Sequence, residues 1–248
     1  MPDQFSRTEM LLGAKALARL KAAHVAIFGI GGVGGYAAEA LARSGVGAFD
    51  LIDKDTVDIT NLNRQIIATL NTVGRPKAEV MAERIKSINP GAQVNARSVF
   101  FLPETAGEFD FTSYDYVIDA VDTVTAKIAL VLAAQAAHVP VISSMGAGNK
   151  IDPSLFRCAD IYATSVDPLA RVMRQELKKR GVKALKTVYS TEPPLKLHKD
   201  APKENLPEKA KGRTAPASCA FCPAAAGLLI ASVVVRDLIG RESGRDKP

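Results

Sequence analysis

Seven residues near the N-terminus, Gly29-Ile-Gly-Gly-Val-Gly-Gly35, limit the folds open to this chain more than any other feature. Five glycines in seven positions disfavour a regular strand, because glycine loses the most backbone freedom on ordering; they mark a tight turn. His24–Phe28 (HVAIF) before them is a short apolar run that reads as a buried strand, and Tyr36–Arg43 (YAAEALAR) after them has helix-forming composition. In a strand, glycine turn and helix, the backbone can approach a phosphate, and the helix start offers N–H groups and a partial positive charge. Ala48–Ile52 (AFDLI) is a second strand, and Asp53 follows it about 20 residues beyond the turn, where an acid bonds ribose hydroxyls. The competing reading is a turn that needs glycine for packing alone. Strand, turn, helix, strand and acid in succession favour a nucleotide.

The alternation continues. Lys77–Ile88 has a helical period with Val80, Met81, Ile85 and Ile88 on one face, and Asn89-Pro-Gly91 stops it. Val94–Val99 and Tyr116–Asp119 read as strands, Thr125–His138 as an alanine-rich helix and Val139–Ser143 as the next strand. Past Ser144 come a glycine-rich loop (Met145–Pro153), an amphipathic helix (Asp167–Lys179, with Leu169, Val172, Met173 and Leu177 inward), a strand over Ala184–Ser190 and an apolar helix over Pro223–Ile239. Short connections between alternating elements predict an α/β, Rossmann-like doubly wound and mainly parallel sheet, with helices on both faces and a C-terminal extension. One domain over 1–248 is expected, with a nucleotide-binding half (1–144) and a substrate-side half (145–240). Residues 191–217, rich in Pro, Lys and Glu without an apolar period, read as a mobile loop.

Three cysteines (Cys158, Cys219, Cys222) are too few and too unevenly placed for a disulfide scaffold, so a cytoplasmic protein is expected. The N-terminus lacks the apolar core of a signal peptide. The best membrane candidate, Ala224–Val235, is stopped by Arg236 and Asp237, so no membrane association is expected. The net charge of +6 is local. Arg171 to Arg213 holds 13 Lys/Arg against five Asp/Glu, a surplus of eight, so the rest of the chain is slightly acidic. Such a stretch is either a polyanion-binding surface or a solvated helix and loop.

The residues after Asp53 select the nucleotide. Asp55, then Asn61-Leu-Asn63-Arg64-Gln65, then Gly74-Arg75-Pro76-Lys77 follow the ribose acid. An oxidoreductase binding NAD needs little beyond the pyrophosphate turn and the acid. A triphosphate carries about four negative charges and calls for cations such as Arg64 and Lys77, since an arginine grips phosphate oxygens bidentately.

With Asp119-Ala-Val-Asp122 added, the series GxGGxG, ribose acid, N-x-N-R-Q and helix-opening lysine resembles the adenylating superfamily of ubiquitin-activating enzymes. That superfamily includes the molybdopterin-synthase and thiamine-carrier adenylyltransferases. Within it, Phe5-Ser-Arg7-Thr-Glu9, Met145–Pro153, the Leu-Lys-Lys-Arg-Gly run ending at Gly181 and Val188–Glu192 resemble the branch of tRNA threonylcarbamoyladenosine dehydratases. The resemblance implies ATP as cosubstrate, with Gly31, Gly32, Gly34, Asp53 and Asp55 around the nucleotide and Asn61, Arg64 and Lys77 on the triphosphate. It also implies Mg²⁺ held by Asp122, and a homodimer in which Arg7 reaches the partner's site. The substrate would be the threonyl carboxylate of the modified nucleoside in tRNA, activated as an acyl-adenylate and then closed into a ring. The alternative within the superfamily is an adenylyltransferase for a ubiquitin-like sulfur-carrier protein; it shares every ATP residue, and the basic window favours tRNA. A sulfurtransferase-type protein partner and a monovalent cation are further features of this group, neither with a location in the sequence. Asn149, Lys150 and Asp152 are candidate substrate contacts, because loops at this edge of an α/β sheet meet substrate. Structural zinc is not expected: Cys219-Ala-Phe-Cys222 is one pair and only Cys158 remains. A redox role for the pair lacks support; packing, or a place near the site, fits better.

Overall fold

A computed structural model describes residues 2–198 and 216–240. Seven strands form one sheet: β1 (His24–Phe28), β2 (Ala48–Ile52), β3 (Gln93–Arg97), β4 (Tyr116–Asp119), β5 (Val141–Ser144), β6 (Phe156–Asp160) and β7 (Lys186–Ser190). Their order is β3-β2-β1-β4-β5-β7-β6, and every pair is parallel except β6 with β7. The helices are α1 (Ser6–Leu12), α2 (Ala14–Ala22), α3 (Gly34–Ser44), α4 (Lys77–Ile88), α5 (Val124–Ala136), α6 (Pro168–Lys179) and α7 (Phe221–Leu238).

β4 and β5 are buried on both faces, as expected of short apolar strands covered by helices on each side. One core, between the sheet and α3, α4 and α7, is built from Ile27, Leu41, Leu51, Met81, Ile118, Ile230 and Val234. The core on the opposite face packs α5 and α6 over Phe28, Phe101, Phe109 and Phe111. α7 is long and apolar enough to cross a membrane by length and composition, yet half of it is buried within the fold, with Cys222, Ala226, Ile230 and Val234 inward.

The chain leaves β1 outward through β2 and β3, then returns to the other side of β1 as β4. Neighbouring connections therefore diverge between β1 and β4, whose last residues, Phe28 and Asp119, lie side by side. Such a switch point opens a crevice at the carboxyl ends of the strands.

Several elements differ from expectation. β3 covers Gln93–Arg97 rather than Val94–Val99, because its ladder with β2 runs from Ala48↔Gln93 to Ile52↔Arg97 and ends with β2. β5 starts at Val141, after Pro140, which has no N–H to give a ladder. Val172 is exposed: α6 buries Ala170, Met173 and Leu177, and Val172 sits about 100° round from that stripe. Strand β6 has no period in the sequence, since an edge strand with two exposed residues carries no alternating signal. Of the stretch 191–217, residues 199–215 lie outside the described residues.

Candidate active site

The glycines divide two tasks. Gly29 follows β1 with φ of +91°, and its N–H donates to Ile52 O at 2.8 Å. A Cβ there would stand 2.7 Å from Ala120 O, so the turn after β4 lies directly against it. A Cβ on Gly34 would come within 1.8 Å of Gly29 O; bare backbone lets α3 seat on the end of β1. Gly32 faces Pro223 and the Arg64 side chain, at 3.0 and 3.6 Å from a Cβ. Gly31 is different: a Cβ there would meet nothing closer than Gln65 Nε2 at 3.8 Å. Gly29 and Gly34 serve packing, then, while Gly31 opens a cradle.

Asp53 lies across this turn. Its Oδ2 accepts from Ile30 N at 2.6 Å and its Oδ1 from Asp55 N at 2.8 Å, which turns the carboxylate toward the loop. Burial pushes its pKa up, and the nearby Lys77 ammonium opposes that shift. Lys77 opens α4, is buried and points its Nζ to within 3.1 Å of Asp55 Oδ2.

Between these residues the chain is braced by its own polar groups. Asp58 caps a single turn of tight helix (Ile59–Asn61), and the buried Asn61 returns the bond through its Oδ1, which accepts from Asp58 N at 3.1 Å. Arg64 is held by its Nη1, donating to Thr60 O and Asn63 Oδ1, each at 2.8 Å, and burial lowers its pKa. Gln65 Oε1 is buried and has no hydrogen-bond partner among the described residues. A buried acceptor without a donor costs about 1–3 kcal/mol. A nucleotide hydroxyl or amine beside Gly31 would relieve it, and the cradle left by Gly31 fits the same occupant.

At the end of β4, Asp119 is fully buried and joined to Lys127 and Ser143. Three residues on, Asp122 is exposed and its Oδ1 accepts from Thr123 Oγ1 at 3.4 Å. Gly31, Gly32, Gly34, Asp53, Asp55, Asn61, Arg64, Lys77 and Asp122 thus gather at the carboxyl ends of β1, β2 and β4. Arg7 does not join them. It is exposed on α1, whose neighbour Phe5 packs near Gly45 at the far end of α3, about 16 Å along the helix from the glycine turn.

The loop after β5 forms a wall beside this cluster. Asn149, with φ of +58°, donates its N–H to Ala217 O at 2.7 Å and accepts from Leu195 N at its carbonyl and from Ala217 N at its Oδ1. It therefore pins both flanks of the 199–215 segment. Lys150 is buried, with Nζ donating to Glu192 O at 2.8 Å and lying 3.9 Å from Asp167 Oδ2. Glu192 accepts from Ile151 N and Asp152 N, and Asp152 caps the next turn by accepting from Ser154 N at 2.8 Å. Asn149 Oδ1, Lys150 Nζ and Asp152 Oδ1 thus each bond within the loop and its flanks. Cys219 sits on Lys150 O at 3.7 Å, and burial, with Cys219 adjacent, pushes the Cys222 thiol up to about 12. Cys158 is exposed on β6. Among the described residues, no group of three or more His, Cys, Asp or Glu side chains is placed to hold a metal by itself. Magnesium seldom needs one: it is commonly held by one or two carboxylates together with substrate phosphates, so a lone Asp122 fits it.

Gln65, Lys127 and Glu192 were not singled out from the sequence. Lys127 alone carried a usable signal, a charge within the apolar run Ala126–Leu132.

The profile of the ThiF family matches residues 5–247. The chain is 48% identical over 243 residues to the tRNA threonylcarbamoyladenosine dehydratase of Bacillus subtilis, covering 96% of each. Its structure is similar to those of the Escherichia coli tRNA N6-threonylcarbamoyladenosine dehydratase TcdA in complex with AMP (TM-score 0.86) and with ATP (TM-score 0.84). Each is 36% identical, and the match covers 96% of this chain and 94% of that one. With the glycine turn, Asp53 and the cations assembled at one crevice, the chain belongs to the ThiF family, in its branch of tRNA threonylcarbamoyladenosine dehydratases.

Proposed function

We propose that the protein uses ATP to dehydrate threonylcarbamoyladenosine in tRNA, closing the nucleoside's side chain into a ring through an acyl-adenylate. The observation that carries this reading is the open Gly31 cradle with Asp53, Lys77 and Arg64 around it, in a chain whose full-length relatives are dehydratases. The turn and the start of α3 receive the phosphates, and Asp53 orients the ribose. The substrate carboxylate attacks the α-phosphorus, pyrophosphate leaves, and Arg64 and Lys77 stabilise its growing charge. Mg²⁺ held by Asp122 would supply further charge neutralisation. A carboxylate is already a nucleophile, so no general base is required. A second atom of the same side chain then closes the ring and expels AMP.

Residues 1–144 make the nucleotide half of a single adenylating domain, and 145–240 the substrate side. The exposed cations of α6 and the turn after it, Arg171, Lys178 and Lys183, support tRNA over a small carrier protein. The distance of Arg7 from its own glycine turn, and the exposed Met10 and Leu11 beside it on α1, support a homodimer in which Arg7 serves the partner's site.

The test is AMP and pyrophosphate release from ATP with tRNA that carries the modification and with unmodified transcript. Release confined to modified tRNA, with loss of one water from the nucleoside, is the expected result. Release without the mass change would point to a carrier protein or another carboxylate, and no release from either tRNA while ATP binds would overturn the substrate assignment.

A further inference from the structure

We propose that Lys127 is a positioning residue of the nucleotide site, holding the turn that carries Asp122 against the glycine loop. The proposal rests on the reading above that Asp122 faces the nucleotide's phosphates. Lys127 and Asp119 form an ion pair in which both side chains are fully buried. Lys127 Nζ donates to both carboxylate oxygens of Asp119 at 3.0 Å and to Ser143 Oγ at 3.2 Å, and Ser143 Oγ donates to Asp119 Oδ2 at 2.5 Å. Three elements meet there: the end of β4, the first turn of α5 and the end of β5, with Asp119 and Ser143 in register. Stability does not account for the arrangement. Replacing a buried ion pair with apolar residues of similar volume is often neutral or stabilising.

Geometry does account for it. The turn Ala120–Thr123 is strung between the two partners. Val121 N donates to Asp119 Oδ1 at 3.3 Å, and at the other end Lys127 N donates to Thr123 O at 3.0 Å. At its start, Ala120 N donates to Phe28 O at 2.8 Å, and Ala120 O lies against Gly29. Shifting the ion pair therefore moves Asp122 and the glycine loop together. Outer partners of this kind, which orient a metal-holding carboxylate, commonly matter about 10- to 100-fold in metal affinity or activity.

The experiment measures the dissociation constant of ATP by calorimetry, with and without Mg²⁺, on the full-length chain. The ratio of the two constants reports Mg²⁺ use without requiring turnover. Asp122→Ala is expected to abolish the Mg²⁺ gain. The pair Asp119→Leu/Lys127→Met, which removes both charges and so leaves no buried ion unpaired, is expected to keep the melting temperature and to cut the gain about tenfold. Ser143→Ala, which keeps both charges, should cut it about twofold. Wild-type ratios in both the double variant and Ser143→Ala, with the gain lost in Asp122→Ala, overturn the positioning role. If the double variant does not fold, Ser143→Ala decides, and an unchanged ratio overturns the role. A gain that survives Asp122→Ala shows instead that the reading of Asp122 is wrong, and the role of Lys127 falls with it.

Discussion

Two alanine substitutions about 11 Å of chain apart in the glycine turn should have opposite signatures, because one glycine serves packing and the other a ligand. In Gly34→Ala the new Cβ would stand 1.8 Å from Gly29 O, where real contacts essentially never fall below 3.0 Å. Both groups are backbone, so no side chain can swing away and α3 must lift from β1 by more than an ångström. Overpacking costs about 1–3 kcal/mol when neighbours can adjust. With rigid neighbours we expect about 3 kcal/mol, which for a chain of this size lowers the melting temperature by about 6–12 °C. In Gly31→Ala the new Cβ meets only Gln65 Nε2, at 3.8 Å, an ordinary contact. Stability should change by about 0.5 kcal/mol or less. The Cβ would occupy the cradle, however, so ATP affinity should fall at least about tenfold, or ~1.4 kcal/mol. Scanning calorimetry and ATP titration on the two variants separate the effects. ATP bound by Gly31→Ala as tightly as by wild type would refute the cradle, and a wild-type melting temperature for Gly34→Ala would refute the seating of α3.

Arg64→Ala should lower the rate of AMP formation about 100-fold, as removal of a group stabilising transition-state charge does; a loss under threefold would exclude Arg64 from the leaving-group site. Mixing inactive Arg7→Ala and Asp122→Ala chains should restore about a quarter of wild-type activity, since half of random dimers would hold one complete site; no recovery on exchange would mean that Arg7 acts within its own chain or not at all. Glu39 tests electrostatics away from the site. Burial raises its pKa, but the guanidinium groups of Arg84 and Arg43 outweigh burial and hold it below the usual 4.5. A depressed folded pKa means stability that is present above pH 4.5 and lost as pH falls through the folded value. Acid melting curves should therefore be shallower for Glu39→Gln than for wild type; parallel curves would contradict the pairing.

What the sequence determined by itself was local in origin. The strands β1, β2 and β4 and the helix α4 have the bounds their apolar runs and breakers predict, since burial on both faces forces a continuous apolar stretch and Asn89-Pro-Gly91 cannot prolong a helix. The glycine turn and the place of Asp53 across it were legible because their spacing is set by one strand, one turn and one helix. Tertiary structure decided the rest. That Gly34 seats a helix while Gly31 stays open depends on which backbone atoms lie opposite, and nothing in the motif separates the two. That Asn149, Lys150 and Asp152 bond to Ala217, Glu192 and Ser154 could not be read from a loop sequence, which does not show its partners. β6 carried no period because, at the edge of the sheet, only Phe156 of its five residues is buried. Lys127 was visible as a charge in an apolar helix, but its partners stand 8 and 16 residues away in sequence. Only the parallel pairing of β4 with β5 brings them together, because register rather than sequence distance sets which side chains share a buried space.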